Sequence, residues 1–277
     1  MADDLPRKID VLRNLIKAER AMAIAFSGGV DSTLLLAVAK EVLGDQVLAI
    51  TAHTPLMPES ERRFAAQTAA TLNVPQYIVY PDIMANAELV ANPPHRCYIC
   101  KKLVFTAIKE TAAAKGFQMI AHGLNADDLT DYRPGLKAAD ELGVVAPLLT
   151  AGLGKKDIRK EARAMGLSAW DRPAMSCLAS RIPYQTPITS SALELIEKAE
   201  AALHAFGIAH CRVRVHGAVA RIEMDPREFD LLMSTNARQH IVTHLRGLGF
   251  AHVALDLEGY TTGRMNRALS DNANGSV

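Results

Sequence analysis

The sequence of 277 residues has no excess of either charge, no long apolar run and few cysteines. The sequence has 31 basic and 30 acidic residues, so neither a polybasic nucleic-acid surface nor an acidic tail is its dominant feature. No apolar run approaches the roughly 18 residues of a membrane helix, and charges interrupt the N-terminal segment, which argues against a secretory signal. We therefore expect a cytoplasmic protein that binds neither membrane nor nucleic acid.

The four cysteines are too few for a disulfide scaffold in a chain of this length. Cys97 and Cys100 form a C-x-x-C pair with basic neighbours at a predicted helix start, a pattern that suits zinc, an iron–sulfur cluster or a redox pair. Cys177 lies in a long proline-containing segment, whereas Cys211 begins an alternating strand and is expected to be a small buried hydrophobe. The first three cysteines predict metal or thiol chemistry.

Apolar runs alternate with amphipathic segments over the first two thirds of the chain. Strands are predicted at 21–26, 46–52, 76–80, 118–122 and 144–149. Helices are predicted at 8–20, 32–43, 58–72, 99–115, 136–142 and 155–165. This alternation, with glycine at the helix ends, predicts an α/β fold with a doubly wound, mainly parallel sheet.

The pattern changes after this region. Residues 168–187 are too long for a simple connector and indicate a functional loop. A helix at 189–206 and alternating strands then predict a smaller C-terminal α+β domain. We expect domains at 1–185 and 186–268, followed by a flexible tail at 269–277.

The strongest motif is Ser-Gly-Gly-Val-Asp-Ser at 27–32, between a predicted strand and a predicted helix. Glycines let the backbone approach an anion, and the helix start supplies free N–H groups and a positive dipole end. The plainer alternative is a tight turn in which Asp31 or Ser32 caps the helix. The motif resembles the signature of the PP-loop ATP pyrophosphatase superfamily, whose members cleave ATP to AMP and pyrophosphate while adenylating a substrate oxygen.

This resemblance implies roles for residues at the carboxyl ends of three predicted strands. The residues expected to bind ATP are Ser27, Gly28, Gly29, Asp31, Ser32, His53 and Asn125. Asp31 would also help to place magnesium, together with Asp127 or Asp128. For this acidic pair a solvated turn with an Asx cap is an equally good interpretation.

Several further motifs make the resemblance more specific: RCYICKK, GLNADDLTDYRPG, PAMSCLASRIPY, and RVRVHG followed by ARIE. Together with SGGVDS they resemble the LarE family of ATP-dependent sulfur transferases, over roughly residues 10–265. The resemblance implies adenylation of a carboxylate of pyridinium-3,5-biscarboxylic acid mononucleotide and its conversion to a thiocarboxylate for the nickel-pincer nucleotide cofactor. It also implies a homo-oligomer.

The family delivers sulfur in two ways. Members with three cysteines, matching Cys97, Cys100 and Cys177, are thought to hold a 4Fe-4S cluster that carries an extra sulfide. Members with one cysteine, matching Cys177, give up their own sulfur and work once. Since all three cysteines are present here, we favour the cluster, supplied by an external sulfide source.

Three arginines are candidates for binding anions. Arg181 follows Cys177 closely and is expected to steer the substrate or the adenylate, which makes Cys177, Asp31 and Arg181 the predicted catalytic residues. Arg212 and Arg214 lie two apart on a strand and share a face that suits a phosphate, with Glu223 holding one of them. The alternative is a solvated strand face with cross-strand ion pairs.

Three other functions of a protein with this loop fit the rest of the sequence less well. A PP-loop tRNA thiolase would require a basic excess and an RNA-binding module, and neither is evident. Ammonia-using ligases need no cysteines, and a nucleotide sensor has no use for Cys177 in its loop.

Overall fold

The computed structural model describes residues 4–130, 134–173 and 176–261. The predicted tail at 269–277 lies outside these ranges, as do 262–268 of the predicted second domain. Contacts divide the chain into two compact units. The first unit is Met1–Asn86 with His95–Met175, and the second is Ala87–Pro94 with Ser176–Val277.

The helices and strands follow the predicted order. Up to the end of the first unit they are α1 (Leu5–Lys17), β1 (Met22–Ala25), α2 (Val30–Leu43), β2 (Val47–Ala52), α3 (Glu59–Thr71), β3 (Gln76–Val79), α4 (Ala87–Val90), α5 (Arg96–Ala114), β4 (Ile120–His122), α6 (Gly135–Glu141), α7 (Pro147–Thr150) and α8 (Lys155–Ala164). The second unit continues with α9 (Ser190–Ala205), β5 (Cys211–His216), β6 (Val219–Met224), α10 (Phe229–Met233), α11 (Thr235–Gly247) and β7 (His252–Leu255). The short helix α4 was not predicted, and it belongs to the second unit.

The first unit is built on a parallel sheet with strand order β3-β2-β1-β4. Successive side chains of β1 and β2 point to opposite faces, and both faces are covered. Met22 and Ile24 pack with α1, α2 and α8 on one face, whereas Ala23 packs with α5 on the other. The predicted doubly wound α/β fold is therefore confirmed.

Two predicted elements are wrong in detail. The first helix begins at Leu5 rather than at residue 8, because Pro6 fits its first turn, where no N–H is needed. The strand predicted at 144–149 is reduced to one bridge between Val145 and Ala121. Pro147 starts α7 there, since proline presets a helical φ and cannot donate to a sheet.

The second unit contains a small mixed sheet with strand order β5-β6-β7. The first pair is antiparallel, with Gly217 at a φ of +56° in its tight turn, and the second pair is parallel. Apolar residues of α9, α11 and the sheet, including Leu203, Val213, Ile222 and Ile241, form its core. The predicted smaller α+β region is confirmed.

The division between the units differs from the boundary predicted near residue 185, because 176–185 belongs to the second unit. Asn92 accounts for this, since its buried side-chain amide donates to the carbonyls of Ile182, Pro183 and Thr186. The segment around Asn92 thereby fixes the end of the cysteine-bearing loop. In the described part of the chain, no helix combines the length and apolar composition needed to cross a bilayer.

Candidate active site

The Ser-Gly-Gly-Val-Asp-Ser motif forms the loop between β1 and α2. Gly29 is the N-cap residue of α2, and no side chain caps the helix, so the turn capped by Asp31 or Ser32 is not what the structure shows. Ser32 Oγ instead donates to the Gly29 carbonyl at 3.1 Å and lies 3.2 Å from Ser27 Oγ, which fixes the loop. The first amides of α2 are therefore available to an anion.

Glycine is required at two positions around this loop. Gly28 has a φ of +79°, and a Cβ there would lie 3.0 Å from the backbone of Ala65. A Cβ on Gly123, just after β4, would lie 2.7 Å from the Ser32 amide nitrogen. The end of β4 is thus packed directly against the start of α2, at the edge where the carboxyl ends of the parallel strands meet.

A cavity of about 310 Å³ opens beside the loop at the carboxyl ends of β1, β2 and β4. Its apolar wall consists of Ile50, Met57, Val104, Phe105, Ile108 and Leu124. Its polar lining consists of Ser27, Asp31, Ser32, Thr51, Thr54, Lys101, His122 and Asp128. An anion-binding helix start next to an apolar slot is the arrangement that a nucleotide needs.

Three predicted nucleotide-binding residues do not line this cavity: Gly28, His53 and Asn125. Thr51 and Thr54 line it, but His53 packs edge-on against Tyr80, with ring centroids 5.7 Å apart, and burial lowers the pKa of His53. Asn125 is fully buried, and its side-chain oxygen accepts from the Asp127 amide at 3.0 Å. Within the described residues, the side-chain nitrogen of Asn125 has no hydrogen-bond partner.

The structure brings Asp31 together with Lys155, a residue that the motifs did not indicate. Lys155 Nζ lies 2.5 Å from Asp31 Oδ2. The sequence signal that could have identified Lys155 is its position directly after Gly154, at the start of a helix. Asp127 accepts from the Lys155 amide at 2.7 Å, at the start of α8, rather than from an amide of its own turn. Asp128 lines the cavity and accepts from the Asn125 amide at 3.1 Å.

Asp31 and Asp128 are thus the carboxylates that line the cavity and are suited to magnesium. Among the residues that the structure describes, no three His, Cys, Asp or Glu side chains are gathered to hold a metal ion. Magnesium is commonly bound by one or two carboxylates together with substrate phosphates and water, so this donor set fits a nucleotide-bound ion.

The cysteine pair and the cavity share helix α5. Because α5 begins at Arg96, Cys97 and Cys100 lie three apart in its first turns and on neighbouring positions of its surface. Cys97 is exposed and Cys100 is partly buried. The next residue, Lys101, lines the cavity, and Gly135 makes room for its stem, since a Cβ there would lie 2.6 Å from Lys101 Cδ.

In the second unit, Cys177 is partly exposed and precedes a single 3₁₀ turn, Leu178–Arg181. The structure corrects the role predicted for Arg181 in steering an anion. Its side chain is fully buried, and Nε and Nη2 donate to the two carboxylate oxygens of Glu200 at 2.9 and 3.0 Å. Nη1 lies 3.1 Å from the Cys177 carbonyl oxygen. A guanidinium that is buried and engaged in this way is not placed to contact a substrate.

Arg212 and Arg214 lie on β5, and Glu223 lies beside them on β6, as predicted. Glu223 is buried, and its Oε1 accepts from Arg214 Nε at 2.6 Å and from Arg221 Nη2 at 2.9 Å. Arg212 lies over the ring of Tyr260, 5.0 Å from its centroid. Arg214 and Arg221 pair with Glu223, and Arg221 also pairs with Asp256, while Arg212 adds a third positive charge on β5. Three positive charges against two negative ones leave a net positive charge suited to a phosphate.

Cys211 has the environment of an inert thiol. It is fully buried, and desolvation raises its pKa to about 12. The Cys211 side chain is therefore a neutral part of the core, as its strand pattern predicts.

His122 on the cavity wall gives the first testable prediction. Burial, aided by the positive charge of Lys101, lowers its pKa from 6.5 to about 4. Between these pH values the unfolded chain takes up a proton that the folded chain does not, so stability falls as the pH falls. Between pH 7 and pH 5 we expect the free energy of unfolding of the wild-type protein to fall by about 2 kcal/mol more than that of His122→Asn, which has no imidazole to protonate.

Urea unfolding of both proteins at the two pH values measures this difference, with His240→Asn on the exposed face of α11 as the control substitution. An unchanged pH dependence in His122→Asn would contradict the assignment of a buried neutral imidazole.

Known proteins resemble this chain over nearly its whole length. A family model described as the PP-loop domain matches residues 1–132. An uncharacterized protein of Synechocystis sp. is 39% identical over 96% of this chain and 99% of its own. The pyridinium-3,5-bisthiocarboxylic acid mononucleotide synthase of Lactiplantibacillus plantarum is 35% identical over 92% of each chain. An uncharacterized protein of Methanocaldococcus jannaschii is 30% identical over 92% of this chain and 97% of its own. This chain therefore belongs to the family of the pyridinium-3,5-bisthiocarboxylic acid mononucleotide synthase, the LarE family of PP-loop proteins that its motifs indicate.

Proposed function

We propose that this protein is an ATP-dependent sulfur transferase. It adenylates a carboxylate of pyridinium-3,5-biscarboxylic acid mononucleotide and converts it to a thiocarboxylate for the nickel-pincer nucleotide cofactor. The observation that carries this proposal is the 35% identity over 92% of the synthase from L. plantarum. The uncapped loop beside an apolar cavity and the accessible Cys177 support it independently.

The first unit performs the activation step. The amides at the start of α2 bind the pyrophosphate portion of ATP, and the apolar wall of the cavity receives the adenine. Asp31 and Asp128 are the residues that would hold magnesium, which would offset the charge of the phosphates, and Lys155 supplies a positive charge for the leaving pyrophosphate. A carboxylate oxygen of the substrate attacks the α-phosphorus, pyrophosphate leaves, and the acyl adenylate that forms is a far better electrophile than the carboxylate.

The second unit supplies groups for sulfur transfer. Arg212 and Arg214 bind the phosphate of the mononucleotide, with Glu223 fixing the Arg214 guanidinium. Cys177 is the cysteine of this unit that reaches solvent, whereas Cys211 does not. Transfer requires the sulfur to come within about 3 to 3.5 Å of the activated carbon, and displacement then releases AMP.

We favour a 4Fe-4S cluster on Cys97, Cys100 and Cys177 as the immediate sulfur carrier. Cysteine thiolates are the usual ligands of such clusters, and all three side chains reach solvent. When bound, a cluster with one iron free of protein ligands supplies a sulfide that can be renewed. The external sulfide source, the homo-oligomer and the cytoplasmic location remain predictions.

In the alternative route, the sulfur comes from Cys177 itself. Its thiolate attacks the adenylate carbon, AMP leaves, and a thioester forms. Loss of the Cα proton of Cys177 and cleavage of its Cβ–Sγ bond then release the thiocarboxylate and leave dehydroalanine.

Asp31 tests the activation step. Asp31→Asn removes a carboxylate that contacts Lys155 and lines the cavity. We expect pyrophosphate release in the presence of the pyridinium substrate and magnesium to fall about 100-fold or more. Asp45→Asn is the matched control, since Asp45 also pairs with a lysine, Lys40 at 2.7 Å, but on the surface. Normal pyrophosphate release by Asp31→Asn would refute the assigned role.

Cys177 tests the transfer step. Cys177→Ala removes the sulfur nucleophile or cluster ligand but leaves the first unit unchanged, so we expect pyrophosphate release to persist while thiocarboxylate formation stops. Cys211→Ala, in the core of the same unit, should retain transfer. Mass spectrometry of the products measures both, and thiocarboxylate formation by Cys177→Ala would rule out its role.

Iron analysis decides between the two sulfur sources. For protein prepared without oxygen we expect about four iron ions and a matching amount of acid-labile sulfide per chain. Replacing Cys97 or Cys100 by Ala should abolish both. Iron-free protein that loses one sulfur from Cys177 on reaction with ATP and substrate would instead establish the alternative route.

A further inference from the structure

The buried pair formed by Arg181 and Glu200 lies directly behind Cys177, and we propose that Arg181 is a positioning residue for the Cys177 sulfur. This inference rests on the proposed function of Cys177. It assigns Arg181 no contact with substrate. The guanidinium sets the conformation of the turn that carries Cys177, and a lysine cannot replace it.

The Arg181 guanidinium contacts Glu200 on one side and the Cys177 turn on the other. Nε and Nη2 form a two-pronged contact with the Glu200 carboxylate at 2.9 and 3.0 Å, and neither side chain is appreciably exposed. On the other side, Nη1 lies within hydrogen-bond distance of oxygens from three residues of the turn. They are the Ser176 carbonyl at 2.9 Å, Ser176 Oγ at 2.7 Å, Ser180 Oγ at 2.9 Å and the Cys177 carbonyl at 3.1 Å.

Glu200 is itself held in place by the scaffold. It lies on α9, whose start is capped by Thr189, and its Oε1 also accepts from the Val213 amide at 3.0 Å. The Arg181–Glu200 pair therefore links α9, strand β5 and the Cys177 turn. An ion pair excluded from water in this way is costly to leave half-satisfied, so the turn has little freedom to move independently of the pair.

The contacts converge on the backbone of Cys177. Its carbonyl accepts from the Ser180 amide at 2.9 Å, from Ser180 Oγ at 2.7 Å and from Arg181 Nη1. With the backbone held at a φ of −61° and a ψ of 149°, the Cys177 side chain leaves a buried turn and remains partly exposed. Orientation of a nucleophile matters strongly, because a displacement of about 1 Å can cost about 100-fold in rate.

Arg181→Lys tests the proposal. An ammonium is a single point of charge and cannot span the distance between Glu200 and the turn, so the Cys177 backbone should lose its restraint. We expect the first-turnover rate of thiocarboxylate formation to fall about 30- to 100-fold. Pyrophosphate release and the KM for the pyridinium substrate should stay within about twofold, since the change is remote from the nucleotide cavity.

Arg159→Lys is the matched control. Arg159 also donates to two backbone carbonyls, those of Trp170 at 2.7 Å and Arg172 at 2.8 Å, but in the first unit. This variant should keep the wild-type ratio of transfer to pyrophosphate release. A second readout needs no substrate and uses protein freed of iron by a chelator, in which Cys97 and Cys177 are free thiols. In this protein we expect the alkylation rate of Cys177 by iodoacetamide to change at least about fivefold in Arg181→Lys, while that of Cys97 does not change.

Three outcomes would overturn the proposal: wild-type transfer by Arg181→Lys, a raised substrate KM with an unchanged transfer rate, or equal losses of transfer and pyrophosphate release. If Arg181→Lys does not fold, Glu200→Gln, which keeps the shape of the side chain, should move both readouts in the same direction. Unchanged Cys177 alkylation in Glu200→Gln would also overturn it. Failure of the wild-type protein to make thiocarboxylate refutes the proposed function instead, and the alkylation rates still test the positioning.

Discussion

An uncapped helix start at the centre of a parallel sheet is the feature on which the first unit depends. The loop from Ser27 to Ser32 is held by its own hydroxyl groups, and the amides of α2 are left open at the edge where the strands end. Gly28 and Gly123 allow α3 and β4 to pack against this loop without a side chain intervening. The apolar cavity, the carboxylates suited to magnesium and Lys155 all lie around this one helix start.

In the proposed function, the second unit has a different task, which is to present a reactive sulfur and an anion site beside a small sheet. Two arginines hold the turn after Cys177 from different directions. Arg181 contacts the Cys177 carbonyl from the buried side, while Arg214 Nη1 donates to the Ser180 carbonyl at 2.7 Å. Arg214 also pairs with Glu223, so a substrate phosphate that binds there contacts a group already attached to the sulfur-bearing turn. In the proposed function, substrate recognition and sulfur presentation therefore share the Arg214 side chain.

Patterns of local sequence predicted most of the fold. A helix buried on one face repeats its apolar residues every three to four positions, whereas a strand buried on both faces is a continuous apolar run. The buried runs at β1 and β2 and the stripe of Ile9, Leu12 and Ile16 are signals of this kind. Pro147 shows where they fail, since an apolar run is not a strand when proline starts a helical turn within it. The boundary near 185 failed for a different reason: Asn92 binds residues about 90 positions later, and no local pattern records that contact.

The candidate site was predictable where chemistry follows from a motif. Two glycines at a helix start indicate an anion-binding loop, and the resemblance of the motif identifies it as a PP-loop. The cysteine pair follows from its spacing, and the contact of Glu223 with one of the two arginines follows from strand alternation. Arg181 and Lys155 could not be assigned in this way, because the role of a charged side chain depends on whether it is buried and what lies opposite. Only the tertiary structure places Glu200 behind Arg181 and Asp31 beside Lys155.

The most direct test of ATP-driven sulfur transfer is to measure pyrophosphate, AMP and thiocarboxylate in one reaction of the wild-type protein with ATP, magnesium and the pyridinium substrate. We expect the three products to rise together in equal amounts and to be absent when the substrate is omitted. Pyrophosphate and AMP formed without any thiocarboxylate, or thiocarboxylate formed without ATP, would contradict the coupling of adenylation to sulfur transfer.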